Sequence, residues 1–104
     1  MLGGMLDKSI TRHVKVNIPQ GLHARPAHTL VMLANSFDSE IHVIRNGESV
    51  DGKSILAILS LGAEKGTDLT IKAIGADSVK ALDALEALFF DDFGEVGEEE
   101  QKTE

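Results

Sequence analysis

The segment Gly21–Ala27, with the sequence GLHARPA, is the strongest constraint on how this chain folds. Pro26 has a fixed φ and no backbone N–H, so it suits the first turn of a helix and not a helix interior. After it, apolar residues recur at the spacing of one helical face, at Ala27, Leu30, Val31 and Ala34. Before it, apolar and polar residues alternate from about residue 12 to residue 18, as in a half-buried strand. The segment therefore predicts a strand, a short loop and a helix that begins near His23.

A histidine at the start of a helix lies in a distinctive electrostatic environment. The first N–H groups of a helix have no partner within it, and the positive end of the helix dipole lies there. Together with the charge of Arg25, these groups disfavour a positive charge on the His23 ring and favour an anion. A phosphoryl group on the ring would fit such a pocket. Spacing alone supports equally well a helix-capping histidine beside a solvated arginine, because His-x-Arg is a common pattern.

The middle of the chain predicts two strands joined by a hairpin. Ile41–Arg45 is rich in β-branched residues and precedes Asn46-Gly47, the strongest short hairpin signal. A type I′ turn needs a positive φ at both central residues, which Asn and Gly tolerate. Glu48–Val50 then returns as the second strand of the hairpin.

Two further helices and one further strand follow the hairpin. Ser54 is a favourable N-cap for a short helix that ends at Gly62. Leu69–Ile74 predicts a fourth strand, and Asp77 or Ser78 is expected to cap a last helix. In that helix, the positions expected to face inward are Leu82, Leu85, Leu88 and Phe89. The element order βαββαβα predicts a two-layer α/β sandwich, in which a four-stranded antiparallel sheet carries three helices on one face.

Charge divides the chain into a domain and two extensions. The net charge is −7 over 104 residues, and the segment 91–104 alone holds seven acidic residues and one lysine. Such a segment, with few apolar residues, is typical of a solvated and disordered end. We therefore expect an N-terminal, flexible extension over 1–10, one folded domain over 11–93 and an acidic disordered tail over 94–104.

Composition also excludes several classes of protein. The chain has no cysteine, so it has no disulfide framework and no thiolate metal site, which fits a cytoplasmic protein. No apolar run approaches the roughly 18–20 residues of a membrane span. The sequence has no stripe of basic residues interleaved with aromatic ones, the pattern that would indicate binding to nucleic acid. We expect no metal, no cofactor, no nucleic-acid partner and no membrane insertion.

Residues 47–54, with the sequence GESVDGKS, match the P-loop pattern G-x-x-x-x-G-K-S letter for letter. A phosphate-binding loop must curl so that successive N–H groups converge, whereas this segment is predicted to be a hairpin turn and a strand. Glu48 and Asp51 would also place two carboxylates beside the bound phosphates. We therefore expect no ATP site here.

The segment Gly21–Ala27 resembles the active-site signature of the HPr family, the histidine-containing phosphocarriers of the bacterial phosphoenolpyruvate:sugar phosphotransferase system. The resemblance continues in the same order at Asn46-Gly47, at Lys53–Gly62 and at Lys65–Thr67. It covers about residues 11 to 93. It implies a sheet with the strand order 1-4-2-3, and a carrier of a phosphoryl group rather than a free-standing enzyme.

The resemblance implies a role for each residue of the signature. His23 would accept a phosphoryl group from Enzyme I on Nδ1 and pass it to the IIA domain of a sugar permease. Arg25 would be the charge partner of the phosphate, and the backbone amides of Ala24 and Arg25 would be its cradle. An apolar patch on the second helix would dock both partners, and its residues would be Ile55, Leu56 and Leu59.

Ser54 matches a serine that a dedicated ATP-dependent kinase, HPr kinase/phosphorylase, phosphorylates in some bacteria. A phosphate at a helix N-cap is favoured by the dipole and by the unpaired amides. A plain N-cap serine explains the residue equally well. The resemblance also leaves open a regulatory relative of HPr that serves nitrogen or carbon control through partner binding and not sugar transport.

Overall fold

The first helix forms where the sequence predicts it, and the first strand lies about three residues earlier than expected. In the computed structural model, which describes residues 9–94, β1 spans Ser9–Lys15 and α1 spans Ala24–Asn35. The strand begins three residues before the expected start near residue 12. It ends at Lys15 because Val16 bonds instead to the loop before the fourth strand, donating to the Thr67 carbonyl over 2.9 Å. The first two residues of β1 thus fall in the segment assigned to the N-terminal extension.

The structure contains the hairpin and the second helix that the sequence predicts. β2 spans Glu40–Arg45 and β3 spans Glu48–Asp51. Between them, Asn46 has φ 51° and Gly47 has φ 83°, so both central residues have the positive φ that was expected. The second helix, α2, spans Ile55–Ser60. β4 spans Asp68–Ile74, α3 spans Ser78–Phe90, and a short 3₁₀ turn follows over Asp92–Gly94.

The four strands form one antiparallel sheet in the order β1-β4-β2-β3, as the resemblance implied. Along the two central strands, β4 and β2, buried positions alternate with exposed or half-buried ones, which leaves one face for the helices. α3 packs on β1 and β4, and α1 packs on α2 and α3. The inward side chains of the two central strands are Ile41, Val43, Leu69, Ile71 and Ala73. The predicted two-layer sandwich is confirmed.

Helix α1 buries the face that its spacing predicted. Its buried residues are Pro26, Ala27, Leu30, Val31 and Ala34. In α3, Leu82, Leu85 and Phe89 are buried and Leu88 is half-buried. The ring of Phe89 meets that of Phe93 edge to face at a centroid distance of 4.8 Å, which closes the core below the end of the helix.

The start of α3 corrects one expectation. Asp77 stands at the N-cap position, but its side chain makes no cap hydrogen bond. Its carboxylate instead accepts from the amides of Asp38 and Ser39, each over 2.9 Å, and from the Ser39 hydroxyl. The Ser78 hydroxyl is buried and has no hydrogen-bond partner among residues 9–94. The prediction that one of these side chains caps the helix is therefore wrong, because the carboxylate is drawn to the loop that enters β2.

Within the part of the chain that the structure describes, no helix is both long and apolar enough to cross a membrane. Most of the predicted N-terminal extension, and the predicted acidic tail from residue 95 onward, lie outside the described residues.

Candidate functional site

His23 is the N-cap residue of α1, as the sequence predicted. Its backbone is extended, with φ −85° and ψ −167°, and its ring makes no hydrogen bond to the helix amides. The residue is half-buried. Its own N–H donates to the Gly21 carbonyl over 2.8 Å, so the chain turns tightly just before the helix. The ring is thus placed at the helix entrance while remaining free of the capping role.

The loop before His23 lies directly against the segment that follows α2. Gly21 has φ +75°, and a Cβ atom there would stand 2.6 Å from the Ala63 carbonyl oxygen and 2.8 Å from Glu64 Cα. Leu22 donates its N–H to the same Ala63 carbonyl over 2.8 Å. Only glycine combines this positive φ with so close a backbone approach. The geometry of this turn therefore depends on a contact with residues about forty positions later in the chain.

The first turn of α1 supplies the donors that an anion would need. The first backbone bond of the helix runs from Ala27 N–H to the His23 carbonyl over 2.9 Å. Pro26, inside that turn, has no N–H to offer. The amides of Ala24 and Arg25 therefore have no partner within the helix. The structure brings His23, these two amides and the exposed Arg25 side chain together in one turn.

Ser54 is the N-cap residue of α2, and unlike His23 its side chain makes the capping hydrogen bond. Its hydroxyl accepts from the Ala57 amide over 3.2 Å, a true N-cap bond as predicted. Asn35, the last residue of α1, donates to the Lys53 carbonyl over 3.1 Å. Since a helix of twelve residues is about 18 Å long, His23 and Ser54 lie near opposite ends of α1.

The outward face of α2 is apolar. Leu56 is 76% exposed and Leu59 is 38% exposed, while Ile55 is half-buried against the core. Ile58 and Leu61 are buried, so the apolar residues of this segment are divided between core and solvent. We call Ile55, Leu56 and Leu59 the α2 patch.

The segment that matches the P-loop pattern is a hairpin. Glu48–Asp51 pairs with β2, so its backbone is extended and its N–H groups do not converge. The Lys53 ammonium donates to the Phe37 carbonyl over 2.7 Å. The pattern therefore does not form a phosphate-binding loop.

Sequence reasoning missed Arg45. Its guanidinium Nη1 donates to the carbonyls of Leu61 and Gly62, over 2.6 and 3.1 Å. These two residues end α2 and lead into the segment that contacts the His23 loop. No local pattern could have indicated this pairing, because the partners are sixteen and seventeen residues away and are backbone atoms.

Comparison with known proteins agrees with this geometry. The family model described as "PTS HPr component phosphorylation site" matches residues 10–91. The phosphocarrier protein HPr of Buchnera aphidicola is 46% identical over 72 residues, which are 69% of this chain and 85% of the relative. That of Cupriavidus necator is 44% identical over 75 residues, which are 72% of this chain and 84% of the relative. The crystal structure of HPr-C-His from Thermoanaerobacter tengcongensis matches with a TM-score of 0.78 at 39% identity, covering 85% of this chain and 97% of that chain.

Proposed function

Because the chain belongs to the HPr family of phosphocarrier proteins of the phosphotransferase system, we propose that His23 is its phosphate acceptor. In this proposal, phospho-Enzyme I donates the phosphoryl group and the IIA domain of a sugar permease receives it. The exchange takes place in the cytoplasm, and the protein acts as a carrier and not as a free-standing catalyst.

One observation carries the proposal: the His23 ring does not cap the helix at whose N-terminus it stands. In the transfer, the bond from phosphorus to the donor's nitrogen breaks and a new bond to His23 Nδ1 forms. The phosphoryl oxygens can then accept from the amides of Ala24 and Arg25, with the Arg25 guanidinium as counter-charge. The half-buried position lets solvent screen these charges, which keeps the transfer reversible.

The test is phosphorylation by phosphoenolpyruvate and purified Enzyme I. Wild type is expected to take up a label that is lost in acid and kept in alkali, and His23→Ala is expected to take up none. His28→Ala removes another histidine of α1, exposed and outside the proposed site, and is the matched control. Label on His23→Ala, or none on wild type with an active cognate Enzyme I, would contradict the proposal.

The α2 patch is the proposed docking surface for Enzyme I and for the IIA domain. The apolar face of a helix can bind in an apolar groove of a partner, and an exposed leucine can be part of such a face. Leu56→Ser should raise the concentration of protein that half-saturates Enzyme I by about tenfold. Val79→Ser changes an apolar residue on α3 that is 51% exposed, and should leave that concentration unchanged. Equal behaviour of the two variants would contradict the docking role.

Ser54 is the proposed site of a regulatory phosphate, added by HPr kinase/phosphorylase. Its support is the N-cap position, where the oxygens of a phosphate would meet helix amides. With a purified kinase and ATP, an acid-stable label is expected on wild type and not on Ser54→Ala. Ser60→Ala, an exposed serine of the same helix, is the matched control. If only Ser54 is labelled and His23 never is, the regulatory relative of HPr becomes the better assignment.

A further inference from the structure

Arg45, the last residue of β2, is hydrogen-bonded to the end of α2. One nitrogen of its guanidinium donates to the carbonyls of Leu61 and Gly62. The last carbonyls of a helix have no partner within it and lie at the negative end of its dipole, so an arginine is well suited to them. α2 has only six residues, a length that is not stable by itself. Arg45 therefore ties the end of this short helix to the sheet.

The segment after α2 connects this tie to the His23 loop. We call Gly62–Thr67 the brace. Its Gly66 amide donates to the Val16 carbonyl over 2.6 Å, and its Ala63 carbonyl accepts from Leu22 N–H over 2.8 Å. Ala63 itself is buried. The brace is thus bonded to the chain on both sides of the turn that leads into His23.

The contact between the brace and the loop leaves no free space. The Ala63 carbonyl and Glu64 Cα occupy the volume in which a Cβ of Gly21 would lie. A shift of the brace away from the loop would remove the acceptor of Leu22 N–H, and a shift toward it would collide with Gly21. The orientation of the residue that precedes His23 therefore depends on where the brace stands.

We infer that Arg45 is a positioning residue for His23, acting through the end of α2 and the brace. Its consequence for phosphate transfer rests on the proposed function, whereas the coupling to Leu22 does not. Without the guanidinium, the Leu61 and Gly62 carbonyls lose their donor. The brace then keeps its hydrogen bonds to Val16 and Leu22 but loses the one that ties its first residue to β2. The His23 ring then samples more orientations, and fewer of them align Nδ1 with the incoming phosphoryl group.

Three variants separate positioning from general loss of stability. Arg45→Met keeps an apolar stem and removes the donors, and Arg45→Lys restores a charged donor. Arg12→Met is the matched control, because Arg12 also bonds through Nη1 to two acceptors, Asp83 and Glu86, over 3.0 and 2.7 Å. Those partners lie on α3, away from the brace.

The first readout is amide hydrogen exchange at Leu22 relative to Val43, a buried residue at the centre of the sheet. Loss of a hydrogen bond from a charged donor is expected to speed exchange at Leu22 by about tenfold relative to Val43 in Arg45→Met. Arg45→Lys should recover most of this ratio, and Arg12→Met should leave it unchanged.

The second readout is the rate of phosphorylation by Enzyme I. A positioning role predicts that the maximal rate of Arg45→Met falls by about three- to tenfold while the half-saturating concentration is unchanged. An unchanged exchange ratio would overturn the inference, and so would a changed ratio with an unchanged maximal rate. Absence of label on wild type would overturn the proposed function alone, because the exchange ratio would still test the coupling.

Discussion

His23 and Ser54 are both N-cap residues with extended backbones, and their side chains are used in opposite ways. The Ser54 hydroxyl accepts from the amide of the third residue of α2, Ala57. The third residue of α1 is Pro26, which has no N–H, so the same bond cannot form at His23. One helix start is satisfied by its own side chain, and the other leaves its ring and two amides available.

Packing explains why the two helices tolerate different starts. α1 has twelve residues, five of them buried, whereas α2 has six residues and buries only Ile58. A helix anchored by a long apolar face does not need a cap to form, while a helix of six residues gains much from one. A reactive side chain can therefore be placed at the N-terminus of α1 because the core, and not the cap, stabilises that helix.

The largest expected effect is a loss of stability when a side chain is added at Gly21, between the brace and the uncapped start of α1. Gly21→Ala would force a Cβ against the brace at a positive φ, and we expect it to cost about 3 kcal/mol or more of unfolding free energy. Gly66→Ala is the matched control, since Gly66 has φ +94° but nothing within 4 Å of a built Cβ. It should cost only about 1–2 kcal/mol for the left-handed backbone. Chemical denaturation measures both, and equal costs would show that the brace contact is unimportant.

The next effect concerns the counter-charge at His23. Arg25→Ala should lower the rate of phosphorylation by Enzyme I by about tenfold or more, because one charged donor to the phosphoryl oxygens is lost. The exposed side chain makes little contact with the core, so the unfolding free energy should be unchanged. Arg25→Lys should recover part of the rate, since it keeps the charge without the planar fork. A rate equal to wild type in Arg25→Ala would remove Arg25 from the site.

The two N-caps can be compared directly by truncating each side chain. Ser54→Ala should cost about 1 kcal/mol of unfolding free energy, the usual value of an N-cap hydroxyl. His23→Ala should change it by less than about 0.5 kcal/mol, because the ring makes no cap bond. Urea denaturation of both variants gives the two values. A larger loss in His23→Ala than in Ser54→Ala would reverse the comparison.

The smallest expected effect is at the start of α3, where the contribution of Asp77 to the unfolding free energy depends on pH. Hydrogen bonds from the Ser39 hydroxyl and then from the Asp38 amide lower the pKa of the Asp77 carboxyl. A lowered pKa in the folded state contributes stability above the unfolded value, near about pH 4, and this contribution is lost as pH falls through the folded value. The difference in unfolding free energy between wild type and Asp77→Asn should therefore shrink below about pH 4.

Asp91→Asn, at the other end of α3, is the control for that measurement. Asp91 is an exposed aspartate, so its difference from wild type over the same pH range gives the baseline for replacing a surface carboxylate of this helix. If Asp77→Asn behaved in the same way as Asp91→Asn, the bridge from Asp77 to the loop before β2 would contribute nothing to stability.

Local signals predicted most of the fold. Pro26, the Asn46-Gly47 turn and the Ser54 cap each set backbone geometry within a few residues, and the structure confirms all three elements. On α2, helical spacing did not decide which apolar residues face the core, and the resemblance alone assigned Ile55, Leu56 and Leu59 to a patch. In the structure Leu56 and Leu59 are exposed and Ile58 is buried.

Contacts between residues far apart in the sequence could not be predicted from local sequence patterns. Aspartate is a residue type that commonly caps helices, but the Asp77 carboxylate instead accepts from the amides of residues 38 and 39. The fold brings the loop before β2 close to the start of α3. Arg45 likewise finds backbone carbonyls that carry no side-chain signature. The roles of His23, Arg25 and the α2 patch stay predictions until phosphorylation is measured.

The most direct test is the amide spectrum of ¹⁵N-labelled protein before and after phosphorylation by Enzyme I. We predict that the amide resonances of Ala24 and Arg25 shift strongly downfield, because they donate to the phosphoryl oxygens, while that of Ala57 at the capped helix does not move. His28→Ala should give the same shifts as wild type. Phosphorylation that leaves the Ala24 and Arg25 amides unmoved would contradict the claim that the open start of α1 holds the phosphoryl group.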